Sequence, residues 1–139
     1  MFICDISVFN KYGKQRLDEM LTPLALDWRE LIVMLVISHV PGISQTRLIP
    51  FLQTDKANVT KLLQAMEHKG LIWREPDGAD QRNKLCHLTD QGQKLIPQLN
   101  DVLQNWETAC FRGIDPETLT QFWKTNEIIT HNMMNEWKI

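Results

Sequence analysis

The feature that most constrains this chain is the ordered series of patterns between Ser44 and Thr89. It predicts a short helix, a turn, a longer helix and then two short strands around a polar loop. Four apolar residues recur at helical spacing in the longer helix and form one stripe: Val59, Leu62, Leu63 and Met66. Thr54 or Asp55 can cap the start of this helix, and Gly70 can end it. This order of elements is a helix-turn-helix followed by a β-hairpin wing.

The side of the longer helix opposite that stripe is short, polar and weakly basic. At about 100° per residue it comprises Ala57, Lys61, Gln64 and His68, with Thr54, Asn58 and Thr60 on its flanks. Asn, Gln, Thr and Lys side chains can donate hydrogen bonds to base edges or phosphates. Taken alone, the same pattern is more typical of an ordinary amphipathic surface helix.

The predicted hairpin is strongly polar at its tip. The runs Leu71–Trp73 and Leu85–Leu88 predict strands around a tip rich in turn residues. Arg82 and Lys84 suit contacts to phosphates or a narrow minor groove, which attracts arginine. The alternative is a solvated hairpin in which Asp80 and Arg82 form a weak surface ion pair.

Three segments together resemble the MarR (multiple antibiotic resistance regulator) family of winged-helix transcription regulators. They are PGISQ at Pro41–Gln45, DKANVTKLLQAMEHKG at Asp55–Gly70, and the wing run KGLIWRE, Asp80-Gln81-Arg82 and Leu88-Thr89-Asp90-Gln91-Gly92. The resemblance covers the chain from Leu17 to Leu99 and implies a homodimer that binds double-stranded DNA. One departure is Pro50, which lies inside the first helix of the pair and predicts that this helix is short or bent.

The resemblance also assigns roles to residues. It implies that Ala57, Asn58, Thr60 and Lys61 enter the major groove, and that Arg82 is a wing-tip arginine held by Asp80. With the face geometry, the candidate DNA contacts are Ser44, Gln45, Thr54, Ala57, Asn58, Thr60, Lys61, Gln64, Arg74, Asp80, Arg82 and Lys84.

The charge distribution agrees weakly with DNA binding. Residues 44–98 carry eight Lys/Arg against six Asp/Glu, whereas the rest of the chain carries seven against eleven and the net charge is −2. Non-specific DNA affinity comes from phosphate neutralisation, so we expect it to be modest. The acidic total, with Lys61 as the one strong cation on the recognition face, keeps open a winged helix that binds another protein instead.

The ends of the chain predict helices that are richer in apolar residues than a small winged helix needs. Asp5–Leu24 is helical in pattern with an interruption at Gly13, Asp27 caps a mainly core helix, and Thr89–Arg112 is a long helix that Pro97 should bend. Asp115-Pro116 opens a last helix whose apolar side includes Leu119, Phe122, Trp123, Ile129, Met133 and Trp137. We interpret residues 1–24 and 100–139 as dimerisation helices around a winged helix-turn-helix at 25–99. The alternative is that they pack on their own winged domain.

The predicted fold is therefore one mainly α domain, residues 1–139, with a small β-hairpin wing. The predicted function is a sequence-specific transcription regulator, acting as a repressor at a pseudo-palindromic operator. Catalysis is not expected, because the four histidines are scattered and the chain shows no nucleophile motif, phosphate loop or metal spacing. No cofactor or metal is expected.

Two forms of control follow from the resemblance alone. Family effector pockets often lie between the dimer helices and the winged domain, where the candidates are Tyr12, Arg16, Trp28 and His39. Each is otherwise an ordinary core or surface residue. Some relatives sense oxidants through a thiol on the first helix, and Cys4 lies near that place, where a helix N-terminus makes a thiol more reactive. A cysteine-based redox regulator is thus an alternative.

The chain shows no signal peptide and no run near the ~18 apolar residues of a membrane span. Its three cysteines, Cys4, Cys86 and Cys110, have neither metal spacing nor even pairing, and the last two are expected to be packing residues. A reducing cytoplasm, with no membrane partner, is the expected location.

Overall fold

The computed structural model describes residues 1–134 and contains seven α-helices and one three-stranded antiparallel sheet. Trp137, assigned above to the last helix, lies outside the described residues. In chain order the helices are α1 (Phe2–Val8), α2 (Lys14–Leu21), α3 (Trp28–His39), α4 (Gln45–Leu52), α5 (Lys56–His68), α6 (Asp90–Cys110) and α7 (Pro116–Met133). The strands are β1 (Ile43–Ser44), β2 (Ile72–Pro76) and β3 (Lys84–Leu88). The predicted fold class, mainly α with a small wing, is confirmed.

The first helical region is longer than the sequence predicts. It begins at Phe2 rather than Asp5, and a π-helical segment (Phe9–Gly13) joins α1 to α2. Gly13 does not interrupt the helix, since its φ of −62° and ψ of −46° are helical. A helical glycine costs only about 1 kcal/mol, and the Gly13 carbonyl accepts a 2.9 Å hydrogen bond from the Trp106 indole of α6.

Helix α3 begins with the capping residue expected from the sequence. The Asp27 carboxylate accepts hydrogen bonds from the backbone N–H groups of Arg29 and Glu30, both at 2.9 Å. The Glu30 carboxylate accepts in return from the Asp27 N–H at 3.2 Å, which completes a capping box. A short 3₁₀ turn (Thr22–Leu24) precedes this cap.

The sheet has one more strand than the sequence predicts. Its order is β1-β3-β2, so the short β1 pairs with β3 on the side opposite β2. Ile43 lies opposite Cys86, and Arg74 of β2 lies opposite the same residue from the other side. The extra strand joins the start of α4 directly to β3 of the wing.

Helix α6 is capped by Thr89, whose hydroxyl accepts from the Gly92 N–H at 3.0 Å. Position 92 has room only for glycine, because a Cβ there would lie 2.2 Å from the Leu71 carbonyl oxygen. The helix continues through Pro97 and ends at Cys110, two residues before the predicted Arg112.

All nineteen buried apolar side chains among the described residues form one cluster between Leu17 and Leu99. Leu17 and Leu21 of α2 belong to it, so α2 packs on the winged helix as well as extending towards the N-terminus. Helices α1 and α7 bury none of their residues.

Within the described part of the chain, no helix combines the length and the apolar character needed to cross a bilayer.

Candidate nucleic-acid interface

Helix α5 is built as the sequence predicts, with one side in the core and the other in solvent. Asp55 rather than Thr54 caps it, accepting from the Asn58 N–H at 2.9 Å, and Gly70 follows it with a φ of +76°. The four residues of the predicted apolar stripe are all buried: Val59, Leu62, Leu63 and Met66. The opposite side is exposed and comprises Ala57, Asn58, Lys61, Gln64 and His68, with Thr54 and Thr60 half-buried at its edge.

Helix α4, the first of the pair, is short as Pro50 predicts. It spans eight residues and ends where Gln53 adopts a left-handed conformation with a φ of +52°. Ser44 lies at its N-cap position, but its side chain makes no capping hydrogen bond. Ser44 instead belongs to β1, where it lies opposite Leu85 of the wing.

The wing tip is held by short side-chain-to-backbone hydrogen bonds. Asp77 accepts from the Ala79 N–H at 3.0 Å, and Asp80 accepts from the Arg82 N–H at 3.1 Å. Asp80 therefore contacts the Arg82 backbone, whereas the sequence suggested an ion pair with the guanidinium. Within residues 1–134, neither Lys61 nor Arg82 has a carboxylate in ion-pair distance, and both are exposed.

The wing is also tied to α4. The Thr46 hydroxyl donates to the Asn83 side-chain oxygen at 3.2 Å, next to Arg82 and Lys84 in sequence. Strand β1, which directly precedes α4, adds two residue pairs with β3: Ile43 with Cys86 and Ser44 with Leu85. The helix-turn-helix and the wing are consequently parts of one packed unit.

Two of the predicted DNA contacts, Gln45 and Arg74, are engaged inside the fold. Gln45 is only 6% exposed, and the Arg74 side chain is 11% exposed. Arg74 donates to the Glu67 carboxylate at 2.7 Å and to the Gln45 side-chain oxygen at 2.8 Å. Strand alternation was the available signal, since Arg74 lies two residues after the buried Ile72 and shares its face.

The four predicted effector residues do not line the groove that lies between the 3₁₀ turn before α3 and the start of α6. Tyr12 and Arg16 are exposed, and so is His39, whose Nδ1 lies 2.8 Å from the Leu35 carbonyl oxygen. Trp28 is half-buried beneath the Lys14 ammonium, which lies 3.7 Å from its ring centroid. The groove has a volume of about 610 Å³ and is lined by Leu24, Ala25, Leu26, Lys69, Leu71, Gln91, Lys94, Leu95 and Gln98.

The cysteines differ in environment. Cys4 and Cys110 are exposed, and Cys86 is fully buried in β3. Burial raises the pKa of the Cys86 thiol to about 11, with the nearby Arg74 opposing and Glu67 adding to the shift. Burial also raises the pKa of Cys110, against the attraction of Arg16. Packing is thus confirmed for Cys86, whereas Cys110 is exposed; oxidant sensing by Cys4 stays a prediction.

No group of three or more His, Cys, Asp or Glu side chains within residues 1–134 is arranged to hold a metal ion.

Comparison with known proteins shows which proteins this chain resembles in sequence and in fold. The MarR family model matches residues 26–84. The transcriptional regulator HosA of Escherichia coli O157:H7 is 41% identical over 64 residues, which cover 46% of this chain and 47% of HosA. The match therefore spans about half the length of that curated relative.

Solved structures extend the likeness in fold to nearly the whole chain. A MarR transcriptional regulator from Methanosarcina mazei Go1 superposes with a TM-score of 0.87 at 24% identity, covering 96% of this chain and 97% of its own. A putative MarR family regulator from Listeria monocytogenes, solved with a 26mer DNA, gives 0.85 at 21% identity and covers 97% and 90%. The family model thus matches the winged helix-turn-helix over residues 26–84, and the likeness to MarR-type structures in fold extends over nearly the whole chain.

Proposed function

We propose that this chain is a sequence-specific DNA-binding transcription regulator that acts as a homodimer and represses the genes whose promoters it covers. The observation that carries the proposal is the combination of an exposed polar face on α5 with a wing whose tip cation, Arg82, is exposed. An α-helix fits the major groove, and an arginine is attracted into a narrow minor groove. The DNA-bound Listeria structure supports this assignment by likeness of fold.

The proposed DNA contacts fall into two classes. Ala57, Asn58, Lys61 and Gln64 belong to the exposed α5 face, where Asn and Gln can make paired hydrogen bonds to adenine. The Thr60 hydroxyl, at the edge of this face, is already bonded to Gln45 and to the Lys56 carbonyl oxygen. Arg82 and Lys84 of the wing are proposed to contact phosphates or the minor groove. Ser44 and Thr54, which precede α4 and α5, are proposed to contact the sugar-phosphate backbone of the DNA. Asp80 is proposed to contribute by shaping the wing tip.

A homodimer is proposed because the two ends of the chain leave large apolar side chains uncovered. Phe2, Ile3 and Phe9 of the N-terminal helical region are 60–68% exposed, and Ile128 of α7 is 62% exposed. Monomeric proteins rarely expose contiguous apolar patches of such residues. Two copies related by a twofold axis would present two α5 helices about one DNA turn apart to a pseudo-palindrome.

Control by a small molecule is a further part of the proposal. Lys14 of α2 covers Trp28 and donates to the Gln53 side-chain oxygen at 2.6 Å, which connects a dimerisation helix to the end of α4. A ligand shifts the spacing of the α5 helices only if it binds two arrangements with different affinity. An effector that acts here should release DNA from the wild-type protein and not from a Trp28→Leu variant.

Charge reversal tests DNA binding. Lys61→Glu, Arg82→Glu and Lys84→Glu are compared with Lys94→Glu, an exposed matched reversal on α6, outside the proposed DNA and dimer surfaces. The probe is a duplex recovered by the wild-type protein from a random pool, titrated by fluorescence anisotropy across a salt series. The first three variants should lose affinity and show a shallower salt dependence, because each removes a cation near phosphates. The Lys94 variant should bind as the wild type does.

The competing assignment, a winged helix that binds another protein, has a distinct outcome. In that case the four variants bind DNA equally weakly, and the random pool yields no preferred duplex. This function also requires access to chromosomal DNA, in agreement with the cytoplasmic location predicted from the sequence.

A further inference from the structure

Four polar side chains connect the three elements proposed to meet DNA. The Gln45 amide, at the first residue of α4, donates to the Thr60 hydroxyl of α5 at 2.6 Å and accepts from Arg74 of β2 at 2.8 Å. Arg74 also donates to Glu67, two turns further along α5, at 2.7 Å. Thr60 in turn donates to the Lys56 carbonyl oxygen at 3.0 Å. The result is a continuous series of hydrogen bonds from the start of α4, through the wing, to both halves of α5.

The spacing of these contacts matters. Thr60 and Glu67 are seven residues apart, so they lie on one side of α5 and about 10 Å apart along its axis. The helix is therefore held at two points, which fixes its rotation as well as its position.

The network is buried enough for its hydrogen bonds to be costly to break. Gln45 is 6% exposed, and the side chain of Arg74 is 11% exposed. Among the described residues, no buried side-chain nitrogen or oxygen lacks a partner. If the wing rotated relative to α5, the guanidinium or the amide would be left unpaired in this environment, and such groups are penalised strongly.

We propose that Arg74 and Gln45 are positioning residues: together they lock the wing and α4 to α5, so that the α5 face and the wing tip engage DNA in one fixed geometry. The inference rests on the proposed function and assigns to these two residues a role other than direct DNA contact. The Arg74 side chain is 11% exposed and donates to both Glu67 and Gln45, so a phosphate contact would compete with these two bonds.

The chemistry of the site explains why an arginine occupies it. The guanidinium uses its Nε for Glu67 and its Nη1 for Gln45, which requires a planar fork of donors. A lysine would keep the positive charge but could not hold both partners in this geometry. Arg74→Lys therefore separates the two roles: a phosphate contact mostly survives the exchange, and a positioning fork does not.

The DNA test uses Arg74→Lys, Arg74→Met and Gln45→Leu, with Lys61→Met as the contact control. Each is titrated against the recovered duplex and a shuffled duplex of the same composition over a salt series. We expect the first three variants to lose about tenfold or more in affinity for the recovered duplex, equivalent to about 1.4 kcal/mol. Their salt slopes and their binding to shuffled DNA should be unchanged. Lys61→Met should weaken binding to both duplexes and lower the slope by about one.

A DNA-independent measurement accompanies it. Hydrogen exchange of the backbone amides from Ile72 to Leu88 should be faster in Arg74→Lys and in Gln45→Leu than in the wild type, because the hairpin is no longer held to α5. Exchange in the Arg74→Lys/Gln45→Leu double variant should be little faster than in either single variant, since both substitutions break the same network. Arg74→Lys and Gln45→Leu keep the test valid if Arg74→Met fails to fold.

Two results would overturn the inference. One is wild-type affinity in Arg74→Lys together with a reduced salt slope in Arg74→Met, which identifies a phosphate contact. The other is unchanged hydrogen exchange of the hairpin in both Arg74→Lys and Gln45→Leu. If exchange increases while the wild-type protein recovers no duplex from the pool, the locking role is supported and the proposed function fails.

Discussion

The winged helix-turn-helix and the terminal helices differ in where their apolar side chains go. Between Leu17 and Leu99 the apolar residues form one buried cluster, and the polar network of Gln45 and Arg74 is satisfied internally. In α1 and α7 no residue is buried, although both helices are rich in aromatic and aliphatic side chains. The difference supports the proposal that the first region packs around its own core and that the second packs against another copy of the chain. The following predictions test that division, from the largest expected effect to the smallest.

The largest effect is expected from placing charges on the uncovered terminal surface. Phe9→Asp combined with Ile128→Asp should convert the dimer to a monomer at micromolar concentration, because an unpaired carboxylate in an apolar interface is strongly unfavourable. Affinity for the recovered duplex should fall by about 100-fold or more, since the two half-sites are no longer bound together. Analytical ultracentrifugation and anisotropy measure the two effects.

The matched control for that experiment is Asn10→Asp with Thr125→Asp, which adds the same charges at neighbouring exposed polar positions. It should remain dimeric. Identical sedimentation of the Phe9/Ile128 variant and the wild type would show that the terminal helices are not the dimer interface.

The second prediction concerns the buried side of α5. Leu63 is fully buried in the core, so Leu63→Ala should lower the free energy of unfolding by about 2–5 kcal/mol. Leu63→Met conserves volume and should cost less than about 1.5 kcal/mol. Urea unfolding of the three proteins measures this, and equal midpoints for all three would refute the packing described for α5.

The third prediction uses the buried thiol of Cys86. Its pKa of about 11 in the folded protein exceeds the ordinary value of 9.0, so the unfolded chain releases this proton first as the pH rises. The stabilising contribution is complete below pH 9, decreases above it and is lost by about pH 11, amounting to at most about 3 kcal/mol. Urea unfolding at several pH values should show that the difference between wild type and Cys86→Ala shrinks over this range. A constant difference would mean that the thiol is already ionised or exposed in the folded state.

The smallest effect is expected at the capping box of α3. Asp27→Ala removes the acceptor for two backbone N–H groups and should cost about 1 kcal/mol. Asp27→Ser keeps a capping oxygen and should recover most of that loss. Thermal unfolding distinguishes the two variants, and an equal loss in both would point to the carboxylate charge rather than the cap.

Features determined by neighbouring residues were predictable from the sequence. The caps at Asp27 and Thr89, the apolar stripe of α5 and the left-handed Gly70 depend on spacings of a few residues. They follow from helix periodicity and from the unsatisfied N–H groups of a first turn. The position of the wing followed in the same way, although β2 runs from Ile72 to Pro76, beyond the predicted strand Leu71–Trp73 and into the residues assigned to the tip.

Features that depend on distant partners were not predictable. Strand β1 has two residues and exists because Ile43 pairs with Cys86, 43 positions later in the chain. The inward orientation of Gln45 depends on Arg74, 29 residues away. Asp80 was the expected partner of Arg82, but it accepts from the Arg82 backbone N–H and not from the guanidinium. Which of the two donors it contacts depends on the folded shape of the wing tip.

The most direct test of the proposed function is repeated selection of duplex DNA from a random pool by the purified protein, followed by sequencing. The account predicts enrichment of a pseudo-palindrome whose half-site centres lie about 10 base pairs apart, matching two α5 helices related by a twofold axis. Loss of that enrichment in the Lys61→Glu variant should follow. A pool that keeps its starting composition, or enriches a single unsymmetric site, would contradict the proposal that a dimer reads DNA through α5 and the wing.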